Sequence, residues 1–281
     1  MTYKIVTDSS SDLLTLSDVL FTTVPLKITT QEREFSDTAS LDVLEMLNYL
    51  ADYRGKSGSA CPNTQEWLEA FDHADAVFCV TITSGLSGSY NAASAAAKEY
   101  MQAHEGKRVF VVDSLSTGAE SALLIEKLRE LILQKLPFDD IVSQIKQYAA
   151  HTHLLFSLES LHNLANNGRV NPLVAKFAGL IGIRVIGCAS EQGTLEILEK
   201  VRGAQKVLTT VLKQMKQNGY AGGKVRIHHC ENPELAKTLA DNIRVMYPNA
   251  PIVISQTRAL CSFYAERGGL LIGYEDGVQS L

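Results

Sequence analysis

Two segments rich in serine and glycine carry the hydroxyl groups best suited to chemistry in this sequence. The first, residues 84–89, follows a β-branched stretch and precedes an alanine-rich one. This order predicts a loop that runs from a strand into a helix, where unpaired backbone N–H groups favour an anion. Ser84 and Ser87 add hydroxyl donors, although Ser87 could equally cap the helix. The sequence leaves these two roles for Ser87 open.

The second segment, residues 57–64, precedes a predicted helix that begins near Gln65. Asn63 or Thr64 can cap that helix, and Ser59 adds a small hydroxyl donor near its start. Neither segment has a base beside it in sequence, so together they favour an anion-binding cradle over a nucleophilic site.

Motifs of catalysis and nucleotide binding are missing from the sequence. Ser87 fails the G-x-S-x-G pattern of hydrolases because Ser89 stands where the last glycine is required. The histidines lie in no recognisable catalytic motif and lack the spacing of zinc ligands. The chain contains no G-x-x-x-x-G-K-[ST] motif and no protein-kinase motif set, so we do not expect it to bind ATP itself. A serine hydrolase therefore stays a weaker alternative, and no cofactor or metal is expected.

The elements that must position these loops alternate over the first half of the chain. The predicted strands are residues 3–7, 22–28, 76–81 and 109–113, and the predicted helices are residues 41–54, 88–104 and 121–134. This alternation predicts crossover connections and a mostly parallel sheet flanked by helices. Three of the strands end in Thr, Ser or Asp, and ligands of such sheets bind beyond the carboxyl ends of the strands. We therefore expect one shared crevice.

The pattern changes near residue 152, which predicts a first domain of residues 1–152 and a second, mixed α/β domain of residues 153–281. The second domain's predicted strands are residues 154–158, 184–189, 194–198, 225–229 and 252–255, and its predicted helices are residues 172–181, 204–217 and 233–246. Residues 161–220 hold eight Lys or Arg and three Glu, whereas the whole chain has a net charge of −5. This bias favours either a solvated helix face or a basic rim that receives an anionic ligand or partner.

Composition sets the class of protein. The chain has 281 residues, of which 46% are hydrophobic and 20% charged, a balance typical of globular proteins. A net charge of −5 argues against nucleic acid or an anionic membrane as a general partner. Five cysteines without a C-x-x-C pair indicate buried thiols in a reducing compartment. Without a signal peptide or a long apolar run, we expect a soluble, cytoplasmic protein.

Five short motifs follow one another along the chain: residues 7–13 (TDSSSDL), 59–62 (SACP), 84–88 (SGLSG), 111–114 (VVDS) and 167–170 (NGRV). In this order and spacing they resemble the DegV family, the fatty-acid-binding subunits of bacterial fatty-acid kinase. The resemblance extends over nearly the whole chain. It implies a two-domain α/β protein that encloses one long-chain fatty acid between its domains. It also implies a lipid carrier, not an enzyme, that presents the fatty-acid carboxylate to an ATP-dependent kinase for conversion to acyl phosphate.

The resemblance implies a site for the carboxylate. Ser59 and Ser87 match the two family hydroxyls that hold it, and Ser59 stands where the family usually has Thr. Ser84 adds a hydroxyl from the same loop as Ser87. Tyr264 occupies the position of a family histidine. A phenol can donate a hydrogen bond, but it does not titrate near neutral pH as an imidazole does.

The resemblance also implies residues that serve the kinase step. Arg169 and Lys200 match basic positions, Asp37 matches an acidic one, and Arg184 and Arg202 fall where the family is commonly basic. Membrane contact is expected to be transient at most.

The expected lining of the lipid tunnel is apolar and comes from the second half of the chain: Leu161, Leu164, Phe177, Leu180, Ile181 and Ile186. For each of these side chains taken alone, a place in an ordinary core is the favoured alternative. A protein that binds a small polar or phosphorylated metabolite in the same cradle, without a tunnel, is the main alternative.

Overall fold

The structure, a computed structural model, describes residues 1–171 and 182–277. Its strands are β1 (Tyr3–Asp8), β2 (Leu20–Val24), β3 (Lys27–Thr30), β4 (Glu34–Ser36), β5 (Ser57–Ala60), β6 (Ala76–Thr81), β7 (Arg108–Asp113), β8 (Thr152–Leu158), β9 (Ile183–Ala189), β10 (Leu195–Arg202), β11 (Val225–His229), β12 (Ile252–Gln256) and β13 (Leu270–Glu275). Its α-helices within those ranges are α1 (Val43–Asp52), α2 (Thr64–Phe71), α3 (Ser89–Ala103), α4 (Gly118–Leu133), α5 (Phe138–Ala149), α6 (His162–Asn166), α7 (Ala204–Gln217), α8 (Pro233–Met246) and α9 (Ala259–Ala265).

The first sheet is parallel, as the sequence predicts, with the strand order β2-β1-β6-β7. Successive side chains of β6 point to opposite faces, so Phe78 packs with α4 and α5 while Val77 packs with α2 and α3. Because helices cover both faces, the central strands β1 and β6 are almost entirely buried. Their carboxyl ends carry Asp8 and Thr81 at one edge of the sheet.

The second sheet is mixed and has the order β10-β9-β8-β13-β11-β12. One face packs against α7 and α8 through residues such as Leu155 and Ile227. The other face carries Phe156 and Leu158 and packs against Leu26 and Met46 of the first half of the chain. The chain changes sheet at β8, close to the predicted domain boundary at 152–153, and the division into two domains there stays a prediction.

A third sheet, antiparallel with the order β4-β3-β5, corrects two sequence predictions. The single strand predicted over residues 22–28 is wrong: the chain forms β2 and β3, in different sheets, on either side of Pro25. Proline has no N–H for a sheet ladder and favours such a break. The segment interpreted as a loop over residues 57–64 begins instead as β5, and only then leads into α2.

Other differences concern elements that the sequence prediction does not contain, although the buried residues of α5 recur at helical spacing. Helices α5 and α9 and strand β13 are absent from the sequence prediction, and β13 lies between β8 and β11 in the middle of its sheet. The capping prediction for α2 is confirmed, since Asn63 and Glu66 form a reciprocal capping box. The helix predicted over residues 172–181 lies outside the described residues.

Candidate functional site

A cavity lies between the second sheet and the loops of the first half of the chain. It holds about 660 Å³ of space, including the part open to solvent. Most of its lining is apolar: Leu26, Leu154, Phe156, Leu158, Leu164, Leu195, Leu260 and Leu271 contribute. Polar groups lie in the wall as well.

Three of the expected carboxylate-binding residues line this cavity: Ser59, Ser87 and Tyr264. The Ser59 hydroxyl on β5 lies 2.7 Å from the Tyr264 hydroxyl on α9 and forms a hydrogen bond with it. All three side chains are half-buried, so their hydroxyl groups remain accessible from the cavity. The structure thus brings together residues 205 positions apart in the chain.

Arg169 also lines the cavity. Its Nε donates to the Leu86 carbonyl oxygen at 3.2 Å, and its guanidinium carbon lies 6.0 Å from the centre of the Tyr264 ring. The hydroxyl groups of Ser59, Ser87 and Tyr264 thus share the cavity wall with a cation. The cation lies in the same wall because the loop after α6 passes against the loop before α3.

Asp8 binds the chain on both sides of the loop that carries Ser87. The buried Asp8 carboxylate accepts hydrogen bonds from the Ile82 N–H at 3.0 Å and from the Ser89 hydroxyl. Burial raises the pKa of Asp8, although these donors oppose the rise. One carboxylate at the end of β1 thereby ties the end of β6 to the first turn of α3.

Gly88 and not Ser87 occupies the N-cap position of α3, although the Ser87 side chain still binds the first N–H of the helix. The N-cap of α3 is Gly88, and it makes no side-chain capping bond. Ser87 Oγ accepts one hydrogen bond, from the Ser89 N–H at 3.3 Å. Because Gly88 itself provides no side-chain cap, the further N–H groups of this helix start suit an anion.

Ser84 lies apart from this group. Its side chain is exposed and is not part of the cavity wall, and its backbone N–H donates to Asp113 at 3.0 Å. The assignment of Ser84 to the carboxylate therefore has no geometric support and stays a prediction.

A β-bulge decides which way Lys200 and Arg202 face. In the first part of β10, Ile197 packs into the cluster on the cavity side of the sheet, but the pairing register shifts immediately after it. Beyond the shift, Val201 packs on the opposite face. Lys200 and Arg202 flank Val201, so they lie on the cavity side, and both are exposed. Bulges commonly re-aim side chains in this way.

The pairing also gives the distance of Lys200 from the cavity. Lys200 lies opposite Val185, and Val185 lies opposite Leu158, which lines the cavity. Two strand spacings, about 10 Å, therefore separate their backbones. Arg184 occupies the other face and forms an ion pair with Glu159.

Asp37 lies in a different environment from the other predicted site residues. Its side chain is fully buried, and Oδ2 accepts a hydrogen bond from the Leu260 N–H at 3.2 Å. Oδ1 lies 3.5 Å from Arg258 Nε. Burial raises the pKa of Asp37 to about 6. A direct contact between this carboxylate and a partner protein stays a prediction, and the buried position does not favour it.

The predicted tunnel residues divide into three groups. Leu164 lines the cavity, and Leu161 is buried in the same cluster without lining it. The prediction for Ile186 is wrong, because Ile186 points to the other face of its sheet and packs against α7. Phe177, Leu180 and Ile181 lie outside the described residues.

Sequence reasoning missed much of the wall. Leu154, Phe156 and Leu158 alternate along a predicted strand, and that alternation could have identified them as one face. No comparable signal marked Leu260 or Cys261, because α9 is short and its position depends on distant parts of the chain.

Two further findings concern other kinds of site. Over residues 1–171 and 182–277, no cluster of three or more His, Cys, Asp or Glu side chains is placed to hold a metal ion. Every helix in those ranges is too short or too polar to cross a membrane.

Comparison with known proteins extends over nearly the whole chain. A family model described as an uncharacterised protein, DegV family, matches residues 2–275. A DegV domain-containing protein of Streptococcus gordonii is 44% identical over 99% of this chain and 100% of its own length. The structure of a DegV family protein from Eubacterium eligens loaded with heptadecanoic acid has a TM-score of 0.96 and 43% identity, covering 98% of this chain and 100% of that one. The Streptococcus pneumoniae Fatty Acid Kinase (Fak) B3 protein loaded with linoleic acid also has a TM-score of 0.96 and 43% identity, over 98% of this chain and 99% of that one.

Proposed function

The chain belongs to the DegV family, and from this premise we propose that it binds one long-chain fatty acid and presents its carboxylate to a separate ATP-dependent kinase. The kinase converts the bound acid to an acyl phosphate, while this protein acts as a carrier in the cytoplasm. The partners are the fatty acid and the kinase, without nucleic acid and with transient membrane contact at most.

One observation carries the proposal: an apolar cavity has hydroxyl groups and a cation in its wall. The hydroxyls of Ser59, Ser87 and Tyr264 are donors for a carboxylate, the guanidinium of Arg169 lies in the same wall, and leucines and Phe156 line the rest. A fatty acid has this same division between an anionic head and an apolar tail. Two structures with 43% identity to this chain were solved loaded with fatty acids.

The energetics favour a long tail. Each buried methylene contributes about 0.8 kcal/mol, so a tail of about a dozen carbons contributes roughly 10 kcal/mol before the costs of ordering. Hydrogen bonds to a charged group add about 1.5–3 kcal/mol. Affinity therefore comes mainly from the tail, and the hydroxyl groups determine the orientation of the head.

The binding proposal is tested by native mass spectrometry of the purified protein, followed by organic extraction and identification of the lipid. We expect one long-chain fatty acid per chain. Ser87→Ala should weaken binding about tenfold or more without unfolding the protein, because it removes a hydrogen bond to a carboxylate. Ser84→Ala, outside the cavity on the same loop, is the matched control and should bind normally. A protein that is empty and refuses added fatty acids contradicts the proposal.

The kinase step is tested separately with Arg169→Ala. We expect this variant to retain most of its lipid but to lose about a hundredfold in acyl phosphate formed per bound fatty acid, because Arg169 offsets charge on the arriving phosphoryl group. Lys200 and Arg202, exposed on the same side of the sheet, are proposed to contact the kinase. If binding falls while turnover per bound lipid is unchanged, Arg169 holds the ligand only.

No observation favours a second function. A hydrolase needs a base beside its nucleophile, and among the described residues no histidine forms a hydrogen bond with Ser87. A site for a small polar metabolite does not need the leucine-rich part of the cavity.

A further inference from the structure

Helix α9 begins with its backbone donors bound by two carboxylates from the distant N-terminal part of the chain. Its N-cap residue, Arg258, makes no side-chain capping bond. Instead, Asp12 Oδ1 accepts from the Arg258 N–H at 2.6 Å, and Asp37 Oδ2 accepts from the Leu260 N–H at 3.2 Å. These bonds join residues 246 and 223 positions apart in the chain. The start of α9 is therefore fixed by another part of the molecule.

The end of α9 contacts the same small sheet. Asp37 follows β4 directly, and its own N–H donates to the Leu26 carbonyl oxygen beside β3. Ser59 lies on β5, which pairs with the other edge of β3. Ser59 bonds to Tyr264, four residues after Leu260 and thus about 6 Å further along the helix. The three-stranded sheet holds α9 at both ends.

We propose that Asp37 is a positioning residue for the carboxylate site: by binding the Leu260 N–H it sets the position of α9, and so brings the Tyr264 hydroxyl to Ser59 and to the ligand. This inference rests on the proposed binding of a fatty acid. It gives Asp37 a role inside the protein, in place of a direct contact with the kinase.

The free-energy cost of burying the Asp37 carboxylate supports a functional role for it. Asp37 Oδ1 and Arg258 Nε form a buried ion pair at 3.5 Å, and neither atom has a hydrogen-bond partner among the described residues. Burial raises the pKa of Asp37 to about 6, so the charged form is disfavoured in the folded protein. A neutral acceptor would bind the same N–H at lower cost, and a carboxylate kept at such a position is explained better by function than by stability.

The test compares Asp37→Ala with Asp37→Asn. The alanine variant removes the acceptor for the Leu260 N–H, and we expect it to weaken fatty-acid binding about tenfold. The asparagine variant keeps an oxygen acceptor and removes only the charge, so it should restore binding and acyl phosphate formation to within about threefold of wild type. Asp42→Asn, a matched change at the N-cap of α1, controls for the general effect of altering a helix cap.

A double-mutant cycle with Tyr264→Phe supplies the readout that a merely structural role would not change. If Asp37 acts through Tyr264, Asp37→Ala should weaken binding far less in the Tyr264→Phe background than in wild type, so the two losses are strongly non-additive. If Asp37→Ala weakens fatty-acid binding by the same factor in wild type and in the Tyr264→Phe background, the proposal is overturned.

The other possible outcomes also distinguish a positioning role of Asp37 from a direct role in the kinase step. Normal binding with phosphorylation lost in both Asp37 variants shows a direct role in the kinase step and overturns the proposal. If Asp37→Ala does not fold, Asp37→Asn decides alone: near-normal binding and phosphorylation support positioning, and loss of phosphorylation overturns it. Failure of the wild-type protein to bind any fatty acid is a different result, and it contradicts the proposed function instead.

Discussion

The two walls of the proposed carboxylate site are built in different ways. The Ser87 wall is local to the first sheet, where Asp8 at the end of β1 binds the end of β6 and the start of α3. The Tyr264 wall is a short helix whose N–H groups are bound by Asp12 and Asp37 from more than 200 residues away. The first wall is formed by its own part of the fold, and the second exists only when the two halves of the chain pack together.

This difference has a consequence for ligand binding. A carboxylate that contacts both Ser87 and Tyr264 adds a connection between the halves, so binding should stabilise the packed arrangement. The ligand-binding free energy is thereby linked to the contacts that hold α9. The variants below test each wall, in order of decreasing expected effect.

The largest effect is expected for Asp8→Ala, which removes the local wall's anchor. Asp8 accepts hydrogen bonds from the Ser10 N–H, the Ser10 hydroxyl, the Ile82 N–H and the Ser89 hydroxyl, all buried. Leaving several buried donors unpaired should lower the free energy of unfolding by about 4 kcal/mol, measured by urea denaturation.

The matched control is Asp113→Ala. Asp113 binds the Ser84 and Leu115 N–H groups at a more exposed edge of the same sheet, so its loss should cost only about 1 kcal/mol. Equal losses of unfolding free energy for the two variants would show that Asp8 does not stabilise this wall more than Asp113 does.

The second prediction concerns pH and the distant wall. A carboxyl group whose pKa rises from 3.8 to about 6 on folding stabilises the folded state below pH 4 and loses that stabilisation as the pH rises through 6. For Asp37 the loss is about 3 kcal/mol. We expect Asp37→Asn to remove this loss, so the variant should unfold at higher urea concentration than wild type at pH 8 and at a similar concentration at pH 4.

Glu120 does not affect the comparison between wild type and Asp37→Asn. Burial raises its pKa to about 7, which gives a pH dependence of the same sign, but Glu120 is present in both proteins and its effect cancels in the difference. A variant less stable than wild type at pH 8 would show that the Asp37 charge stabilises the fold.

The same contrast explains what sequence could predict. The parallel sheet, the loop of residues 84–89 and the position of Ser87 just before a helix follow from neighbours along the chain, where β-branched, glycine and alanine-rich stretches succeed one another. The positions of Tyr264 and Asp37 depend on pairings across 205 and 223 residues. No local pattern encodes such pairings, and only the family resemblance pointed to these two residues.

The face of the sheet on which the basic residues lie could not be predicted from the sequence either. Counting charges identified a basic segment around Lys200, but simple alternation along β10 would have placed Glu199 and not Lys200 on the side of Ile197. The bulge after Ile197 reverses this order. A single unpaired residue in a strand changes the face of every side chain beyond it, and its position is set by packing on both faces of the sheet.

The smallest expected effect comes from Tyr264→His, which places an imidazole at the end of the distant wall. A protonated histidine attracts a carboxylate, so the variant should bind a fatty acid about threefold more tightly at pH 5.5 than at pH 7.5, relative to wild type at the same two pH values. Tyr264→Phe is the control, because it fills the same space without a titrating group and should show the pH dependence of wild type with weaker binding throughout. Fluorescence competition with a labelled fatty acid measures all three proteins. A histidine variant whose pH profile matches that of the phenylalanine variant would place the carboxylate out of reach of α9, and the Ser87 wall would then hold the ligand head alone.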